Sequence, residues 1–222
     1  WSSEDGEWYC DTMNPKGHLR AQKLNLNYID HHLTKTDFWS PVTAYYDCLP
    51  APRSGVVKAN TPWSGAFEIK PTLWAVAHTT QFAEPGWFYL RDACIKLPEG
   101  GSVVALTSPD QKDVSIIVET INVNATQQIE FELDGSLDAQ SLHVWKSDVL
   151  EKFIRQPDIP LENNRFVLNV APNATYSITT PSRQTKGAVS SPANTPFPLP
   201  YQEDFESYEP GKTPKYLCDQ GG

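Results

Sequence analysis

Between residues 63 and 181 the chain repeats one pattern, in which a short run of strand-forming residues is followed by turn residues. Residues 129–133 alternate apolar and acidic side chains with period 2, as a half-buried strand does. Residues 98–101 and 134–135 have the composition of turns. The predicted strands are residues 73–77, 87–90, 102–107, 114–118, 129–133, 142–145, 166–170 and 176–180. Short strands at this spacing, with no helical segment between them, predict a mostly β fold, an antiparallel β-sandwich over residues 61–181.

The segments on either side of the sandwich have different sequence patterns. In residues 1–60, Leu19, Leu26, Ile29 and Leu33 recur at helical spacing within a predicted helix, residues 18–35, and strand formers fill residues 42–46. One helix and one strand cannot enclose a core, so residues 1–60 are interpreted as the end of a larger domain, cut at Trp1. Residues 182–200 are rich in proline and predict a linker, and residues 201–222 begin another unit.

Composition argues against two classes of function. The chain has 18 Lys and Arg against 27 Asp and Glu, a net charge of −9, so binding to a nucleic acid backbone is disfavoured. The longest apolar runs are only a few residues, which predicts that no segment spans a membrane.

The cysteines and glycosylation sequons bear on the compartment. Asn124 and Asn173 each begin an Asn-x-Thr sequon and are predicted N-glycosylation sites. The four cysteines, at positions 10, 48, 94 and 218, are scattered and their pairing stays open. Both features favour a lysosomal or secreted protein.

The first residues of the chain include the residue types that glycoside hydrolysis uses. Glu4 and Asp5 are adjacent carboxylates, and Trp8 and Tyr9 are aromatic rings of the kind on which sugars stack. On residue types alone, a solvated acidic cluster is the simpler interpretation of the same residues, because carboxylates are mostly exposed.

Two histidine motifs offer alternative chemistry. Asp30, His31 and His32 are adjacent, and neighbours on a helix point about 100° apart, so they do not chelate one ion well. His78 is interpreted as a hydrogen-bonded core or interface histidine rather than a base. With no nucleophile elbow, phosphate loop or zinc motif in the chain, no metal or other cofactor is predicted.

Longer motifs resemble one family. They are WSSED at residues 1–5, NYI at 27–29, AYY at 44–46, PWSG at 62–65, AHTTQF at 77–82 and PGW at 85–87. Together they resemble the galactosylceramidase family of glycoside hydrolases, family 59, closely over residues 1–145 and loosely beyond. The resemblance implies that residues 1–60 are the last part of a (β/α)8 TIM barrel, and that residues 201–222 begin a truncated lectin-like β-sandwich.

The resemblance also implies a site and a reaction. Glu4 would be the catalytic nucleophile at the end of barrel strand seven, Trp39 would line the galactose pocket, and the acid/base Glu would precede Trp1. The implied reaction is retaining hydrolysis of the galactosyl bond of galactosylceramide and related galactosyl-sphingolipids. A lipid-presenting activator protein is a candidate partner.

Three departures from the family pattern leave an alternative open. Ala51 stands where the family has a pocket tyrosine, the loop over residues 122–128 is short and lacks an arginine, and Pro41 precedes the predicted strand eight. The alternative is a non-catalytic β-sandwich, a glycan-binding or structural module of an inactive homologue.

Overall fold

The computed structural model describes residues 1–3, 18–38, 40–44, 55–133, 137, 139–182 and 184–217. No helix in these residues is long and apolar enough to cross a membrane. The helices are α1 (Leu19–His31) and α2 (Pro71–Thr80). The strands are β1 (Val42–Thr43), β2 (Val57–Lys58), β3 (Glu68–Ile69), β4 (Phe88–Tyr89), β5 (Ile95–Lys96), β6 (Ser102–Thr107), β7 (Val114–Glu119), β8 (Gln127–Glu132), β9 (Ser141–Ser147), β10 (Ile154–Pro160), β11 (Arg165–Val170) and β12 (Thr175–Thr179).

Strands β4–β12 form two packed antiparallel sheets. The larger sheet has seven strands in the order β10-β9-β12-β7-β6-β4, with β5 also pairing with β6. The smaller sheet consists of β8 and β11. The prediction of a mostly β fold is therefore confirmed, and seven of the eight predicted strands are present with bounds shifted by at most two residues.

The sandwich core lies between the facing sides of the two sheets. Val118, Leu142 and Ile178 of the larger sheet are completely buried there. The rings of Phe131 and Phe166, from the smaller sheet, stack with their centroids 4.6 Å apart. Among the described residues, only one face of the smaller sheet is covered, and its strands alternate buried and exposed residues as their sequences predict.

The opposite face of the larger sheet is covered by the two helices. Ile117 is packed against Ile29 of α1, and Trp145 belongs to a cluster with Ala77 of α2 and Phe82. Every residue of β7 is therefore buried, and the strand has apolar residues on both of its faces, with Ile116 and Val118 toward the smaller sheet and Ile117 toward the helices.

The strand predicted for residues 73–77 is wrong, because these residues lie in helix α2. Lys70 is extended, and Pro71 occupies the first helical position, where its missing N–H costs nothing. A five-residue apolar run cannot by itself distinguish a buried strand from a buried helix. The helical segment between the predicted strands was missed for this reason.

Strand β10 is an addition that the sequence analysis missed. It contains Pro157 and Pro160, which remove two backbone donors, and its pairing with β9 is irregular between Gln156 and Ile159. β10 lies at the edge of the larger sheet, the position where proline is tolerated within a strand.

Residues 18–69 contain the predicted helix and a small separate sheet. α1 ends at His31 because His32 adopts a left-handed conformation, with φ of 53°. β1 is a two-residue strand at the start of the predicted 42–46 strand, and residues 45–46 lie outside the described residues. β1 pairs in parallel with β2, and β2 pairs antiparallel with β3. Pro41 lies just before β1, where its carbonyl accepts a hydrogen bond from the Val57 backbone at 3.0 Å.

The proline-rich segment after the sandwich runs along residues 61–67. The Trp63 indole donates to the Thr195 carbonyl at 2.8 Å, and the Ser191 hydroxyl accepts from the Phe67 backbone at 2.8 Å. Trp63 and Phe197 also meet edge to face, with their ring centroids 5.4 Å apart. These contacts hold part of the predicted linker against the residues that precede β3.

Candidate functional site

The start of the chain pairs in parallel with the segment that follows α1. The Ser2 backbone donates to the Lys35 carbonyl, and the Asp37 backbone donates to the Ser2 carbonyl, each at 2.9 Å. The result is a parallel bridge between Ser2 and Thr36. Two parallel segments joined through a helix form a crossover of the β–α–β type.

Side chains around this crossover tie α1 to the segment that follows it. The Asn27 amide donates to the Thr36 hydroxyl at 3.0 Å. The buried Arg20 guanidinium lies 5.0 Å from the centroid of the Phe38 ring. Contacts from α1 therefore reach Thr36 and Phe38, which lie at and just after the bridge.

The two predicted residues of the hydrolase site, Glu4 and Trp39, lie outside the described residues, and their roles stay predictions. Ala51, one of the departures from the family pattern, also lies outside them, as do three of the four cysteines. The fourth, Cys94, is a free thiol whose pKa is raised by burial.

His78 is completely buried between α2 and the larger sheet. Its Nδ1 lies 2.7 Å from the Ser177 hydroxyl, and its Nε2 lies 2.8 Å from the Ser147 hydroxyl. Burial lowers the pKa of the imidazole to about 3, so the ring is neutral. The interpretation of His78 as a hydrogen-bonded interface histidine is confirmed by these contacts, although it lies on a helix rather than a strand.

A second buried polar network joins α1 to β6 and β7, and the sequence analysis missed it. The Glu119 carboxylate accepts from the Ser102 hydroxyl at 2.5 Å and from the Ile121 backbone at 2.9 Å. The Asn25 amide donates to the Ser102 hydroxyl at 3.1 Å and to the Ile117 carbonyl at 3.3 Å. Burial is the largest influence on Glu119 and raises its pKa. The available signal was a carboxylate at the end of a strand that carries no other charge.

His18 is a third buried polar group, immediately before α1. Its Nε2 lies 3.5 Å from the Lys152 ammonium, while its Nδ1 has no hydrogen-bond partner among the described residues. Burial and the positive charge of Lys152 together lower the pKa of His18 to about 4. Together with His78 and Glu119, this residue adds buried polar groups to the otherwise apolar contact between the helices and the larger sheet.

In the Asp30–His32 motif, the side chains of Asp30 and His32 take part in other interactions. Asp30 pairs with Lys96 of β5 at 2.7 Å, and the His32 ring meets Tyr28 edge to face at 5.7 Å. In the described part of the chain, no group of three or more His, Cys, Asp or Glu side chains is arranged to hold a metal ion.

The two glycosylation sequons lie on neighbouring loops of the sandwich. Asn124 is exposed in the connection between β7 and β8. Asn173 lies between β11 and β12, where its side-chain carbonyl accepts from the Asn122 backbone at 3.0 Å and its amide donates to the Val123 carbonyl at 3.3 Å. Glycosylation at either position stays a prediction.

Two models of a single family match most of the chain. The model for glycosyl hydrolase family 59 matches residues 1–81, and the model for the family 59 central domain matches residues 89–185. The first match ends one residue after α2, and the second contains the strands from β5 to β12 together with the last residue of β4.

Individual relatives agree with the family match. A galactocerebrosidase of Salmo salar is 34% identical over 233 residues, which are 95% of this chain and 34% of that protein. A galactocerebrosidase of Danio rerio is 35% identical over 246 residues, covering 100% of this chain and 36% of that protein. The chain thus spans about a third of the length of these relatives.

Solved structures support the fold. The catalytic domain of a GH30 xylanase C from Talaromyces cellulolyticus superposes with a TM-score of 0.60 at 16% sequence identity, over 82% of this chain and 39% of that one. At this identity the likeness concerns architecture alone.

Proposed function

The chain belongs to glycosyl hydrolase family 59, and from this premise we propose that the protein containing it is a retaining β-galactosidase. The proposed substrates are galactosylceramide and related galactosyl-sphingolipids, because the matched relatives are named galactocerebrosidases. In this proposal residues 1–60 end a (β/α)8 barrel, and residues 201–222 lead into a lectin-like domain. The proposed compartment is the lysosome or the exterior of the cell.

The parallel bridge between Ser2 and Thr36 is the observation that carries this proposal. Parallel strands joined by a helix are the unit from which a (β/α)8 barrel is built, and the active sites of such barrels lie at the carboxyl ends of the strands. Glu4 and Trp39 follow the two paired segments by two and three residues in the sequence. A nucleophile and a sugar-binding ring are expected at this edge.

In the proposed reaction Glu4 attacks the anomeric carbon of the β-galactoside while a second carboxylic acid protonates the departing ceramide oxygen. The bond from the anomeric carbon to that oxygen breaks, and a galactosyl ester of Glu4 forms. The second residue, now a carboxylate, takes a proton from water, and the resulting hydroxide releases galactose and restores Glu4. Such a pair of carboxyl groups lies about 5–5.5 Å apart. The second carboxyl group is assigned to the barrel outside residues 1–222.

Trp39 is proposed to stack on the galactose ring, since an indole offers a rigid apolar face to the C–H bonds of a pyranose. The lipid part of the substrate is proposed to be delivered by a lipid-presenting activator protein. The connection between β7 and β8 lacks arginine and is tied down by the Thr120 hydroxyl, which donates to the Ala171 carbonyl at 2.6 Å. Because this loop departs from the family pattern, galactosides with aglycones other than ceramide should also be tested.

The decisive experiment replaces Glu4 in the protein that contains this chain. Glu4→Gln should lower kcat for galactosylceramide by at least about a thousandfold, as loss of a covalent nucleophile does. Glu4→Ala with added azide should form α-galactosyl azide, because azide attacks from the face that the carboxylate has vacated. Glu7→Gln, three residues further along, is the matched control and should keep its activity. Near-normal turnover by Glu4→Gln would refute the nucleophile, and absence of galactose release by the unmodified protein would favour the non-catalytic module.

A further inference from the structure

A polar cavity lies where the end of α2, the β6–β7 hairpin and the segment after β12 meet. Its volume is about 400 Å³, within the range of small-molecule sites. Described residues in its lining include Gln81, Glu84, Trp87, Asp113, Thr180 and Gln184. None of them belongs to the proposed hydrolase site, and most carry hydrogen-bonding groups.

One wall of the cavity is a tight turn with an aromatic residue. The Trp87 backbone donates to the Glu84 carbonyl at 3.1 Å. Pro85 and Gly86 occupy the two central positions, and Gly86 has φ of 101°, the left-handed value that a type II turn requires at this position. Trp87 is half-buried against the cluster formed by Val104, Leu106 and Ile117. The turn and this packing hold the indole in place before any ligand arrives.

Other lining residues carry acceptors that are already held in place. The Thr180 hydroxyl donates to the Asp113 carboxylate at 2.7 Å and accepts from the Val114 backbone at 3.0 Å, which fixes the carboxylate against the end of β7. The side-chain carbonyl oxygen of Gln184 is buried and has no hydrogen-bond partner among the described residues. A buried acceptor without a donor is costly, and a ligand hydroxyl would satisfy it.

From these residues we infer that the cavity is a binding site for a neutral pyranose of a glycan. An indole beside carboxylate and carboxamide groups matches a sugar, whose C–H face is apolar and whose hydroxyls both donate and accept. Glu84 and Asp113 place two carboxylates in the lining, so a sialylated or sulfated sugar would meet like charge there. The site does not depend on the proposed hydrolase activity, because it lies on residues 81–184 and uses neither Glu4 nor Trp39.

Ligand-observed saturation-transfer NMR on the 222-residue chain tests the inference. The probes are methyl β-D-galactoside, methyl β-D-glucoside, methyl β-D-xyloside and, as the anionic sugar, the methyl α-glycoside of sialic acid. At least one neutral glycoside should receive saturation, with a dissociation constant of about 1 mM, the weak affinity expected of a small ligand with few contacts. The methyl sialoside should bind at least about tenfold more weakly, a difference that 1.4 kcal/mol produces.

Variants locate the binding. Trp87→Ala should weaken binding at least about tenfold, by loss of the stacking surface. Trp63→Ala is the matched control, because that indole donates to the Thr195 carbonyl on another part of the chain. This variant should bind the glycoside with unchanged affinity. Glu84→Ala removes an exposed side chain and should also weaken binding, which keeps the test valid if Trp87→Ala does not fold.

Four results would overturn the inference. The first two are no saturation transfer to any neutral glycoside at about 50 mM, well above the expected dissociation constant of about 1 mM, and unchanged binding in both Trp87→Ala and Glu84→Ala. The other two are binding of the methyl sialoside as strong as that of a neutral glycoside, and loss of binding in Trp39→Ala. The last result would assign the sugar to the first 60 residues. Each can occur whether or not the intact protein hydrolyses galactosylceramide, so failure here is distinct from failure of the proposed function.

Discussion

Both faces of the four central strands of the seven-stranded sheet, β6, β7, β9 and β12, are covered, but the two faces have different chemistry. The inner face, toward β8 and β11, is made of apolar side chains such as Val118, Leu142 and Ile178. The outer face, beneath α1 and α2, mixes Ile117 and Trp145 with a set of buried polar residues. That set is Ser102, Ser115, Glu119, Ser147, Thr175, Ser177 and Thr179.

The two faces differ in how strongly their contacts stabilise the fold and in whether those contacts depend on orientation. Apolar burial is roughly proportional to area and does not depend on orientation, so the inner face favours packing without fixing one arrangement. Hydrogen bonds need defined distances and angles, so contacts of Asn25 and His78 with the outer face fix how each helix sits on the sheet. We therefore expect inner-face substitutions to cost the most stability and outer-face substitutions to change helix docking and pH dependence.

The largest effect is expected at Leu142, which has no exposed surface in the inner core. Leu142→Ala should lower the free energy of unfolding by about 2–5 kcal/mol, because it removes buried methyl groups and leaves a cavity. Urea unfolding followed by tryptophan fluorescence measures the loss. Val167→Ala, on the solvent side of the smaller sheet, is the control and should cost less than about 1 kcal/mol. Equal losses in the two variants would contradict the assignment of the core.

The next effect is a pH dependence of the free energy of unfolding, caused by histidines buried at the outer face. The pKa of His78 is about 3 in the fold against 6.5 for an ordinary histidine, so between these values the unfolded chain binds a proton that the folded chain does not. The stabilisation is fully present above pH 6.5 and is lost as the pH falls toward 3. From this residue the loss at pH 5 should be roughly 2 kcal/mol. His18, whose pKa is about 4, adds a loss of the same sign.

The titration of His78 can be separated from its packing. His78→Gln should flatten the fall in stability between pH 6.5 and 4, measured by urea unfolding at each pH. Phe153→Leu disturbs a ring that meets His78 edge to face at 5.3 Å, and it should lower stability by a similar amount at every pH without changing the slope. An unchanged slope in His78→Gln would show that other groups cause the acid sensitivity.

A smaller and more local effect is expected at Asn25. Asn25→Ala should cost about 1–2 kcal/mol, because the Ser102 hydroxyl and the Ile117 carbonyl lose a buried donor. Amide hydrogen exchange should accelerate in α1 while β12 stays protected. Asn27→Ala, which removes a half-buried hydrogen bond to Thr36, is the comparison and should leave the packing of α1 on β6 intact. Equal acceleration throughout the sheet would mean that Asn25 supports the whole fold rather than the docking of α1.

The two faces also explain which parts of the fold could be predicted from the sequence. β8 and β11 were readable because one face is in water, so polarity alternates along them. β6 and β7 were readable as short β-branched runs between turns. α2 was read as a strand because residues 73–77 carry no polar residue to mark a helical period. β10 was missed because two prolines are an argument against a strand anywhere except at an edge.

The candidate sites were harder to predict from the residues themselves. Glu4 was selected by a family resemblance, since two serines before two acidic residues are ordinary on a surface. Asn25 lies in α1, where the helical spacing of leucines predicted an apolar buried face. The buried face instead includes Ala21, Asn25 and Tyr28. Only the partners on β6 and β7 make that asparagine an interior residue. The cavity beside Trp87 likewise joins residues almost 100 positions apart along the chain.

The smallest predicted effect lies at the rim of the outer face, where Lys96 of β5 meets Asp30 of α1 at 2.7 Å. Both side chains are partly in solvent, with 55% and 36% of their surfaces exposed, so Lys96→Ala should cost only about 0.2–1 kcal/mol. In about 1 M NaCl the difference should vanish, because screening acts over about 3 Å. Lys112→Ala, which breaks an ion pair within one turn, is the control and should leave hydrogen exchange in α1 unchanged. A loss in Lys96→Ala as large as that of Asn25→Ala, and abolished in about 1 M NaCl, would mean that charge at the rim, rather than buried hydrogen bonding, orients α1 on the sheet.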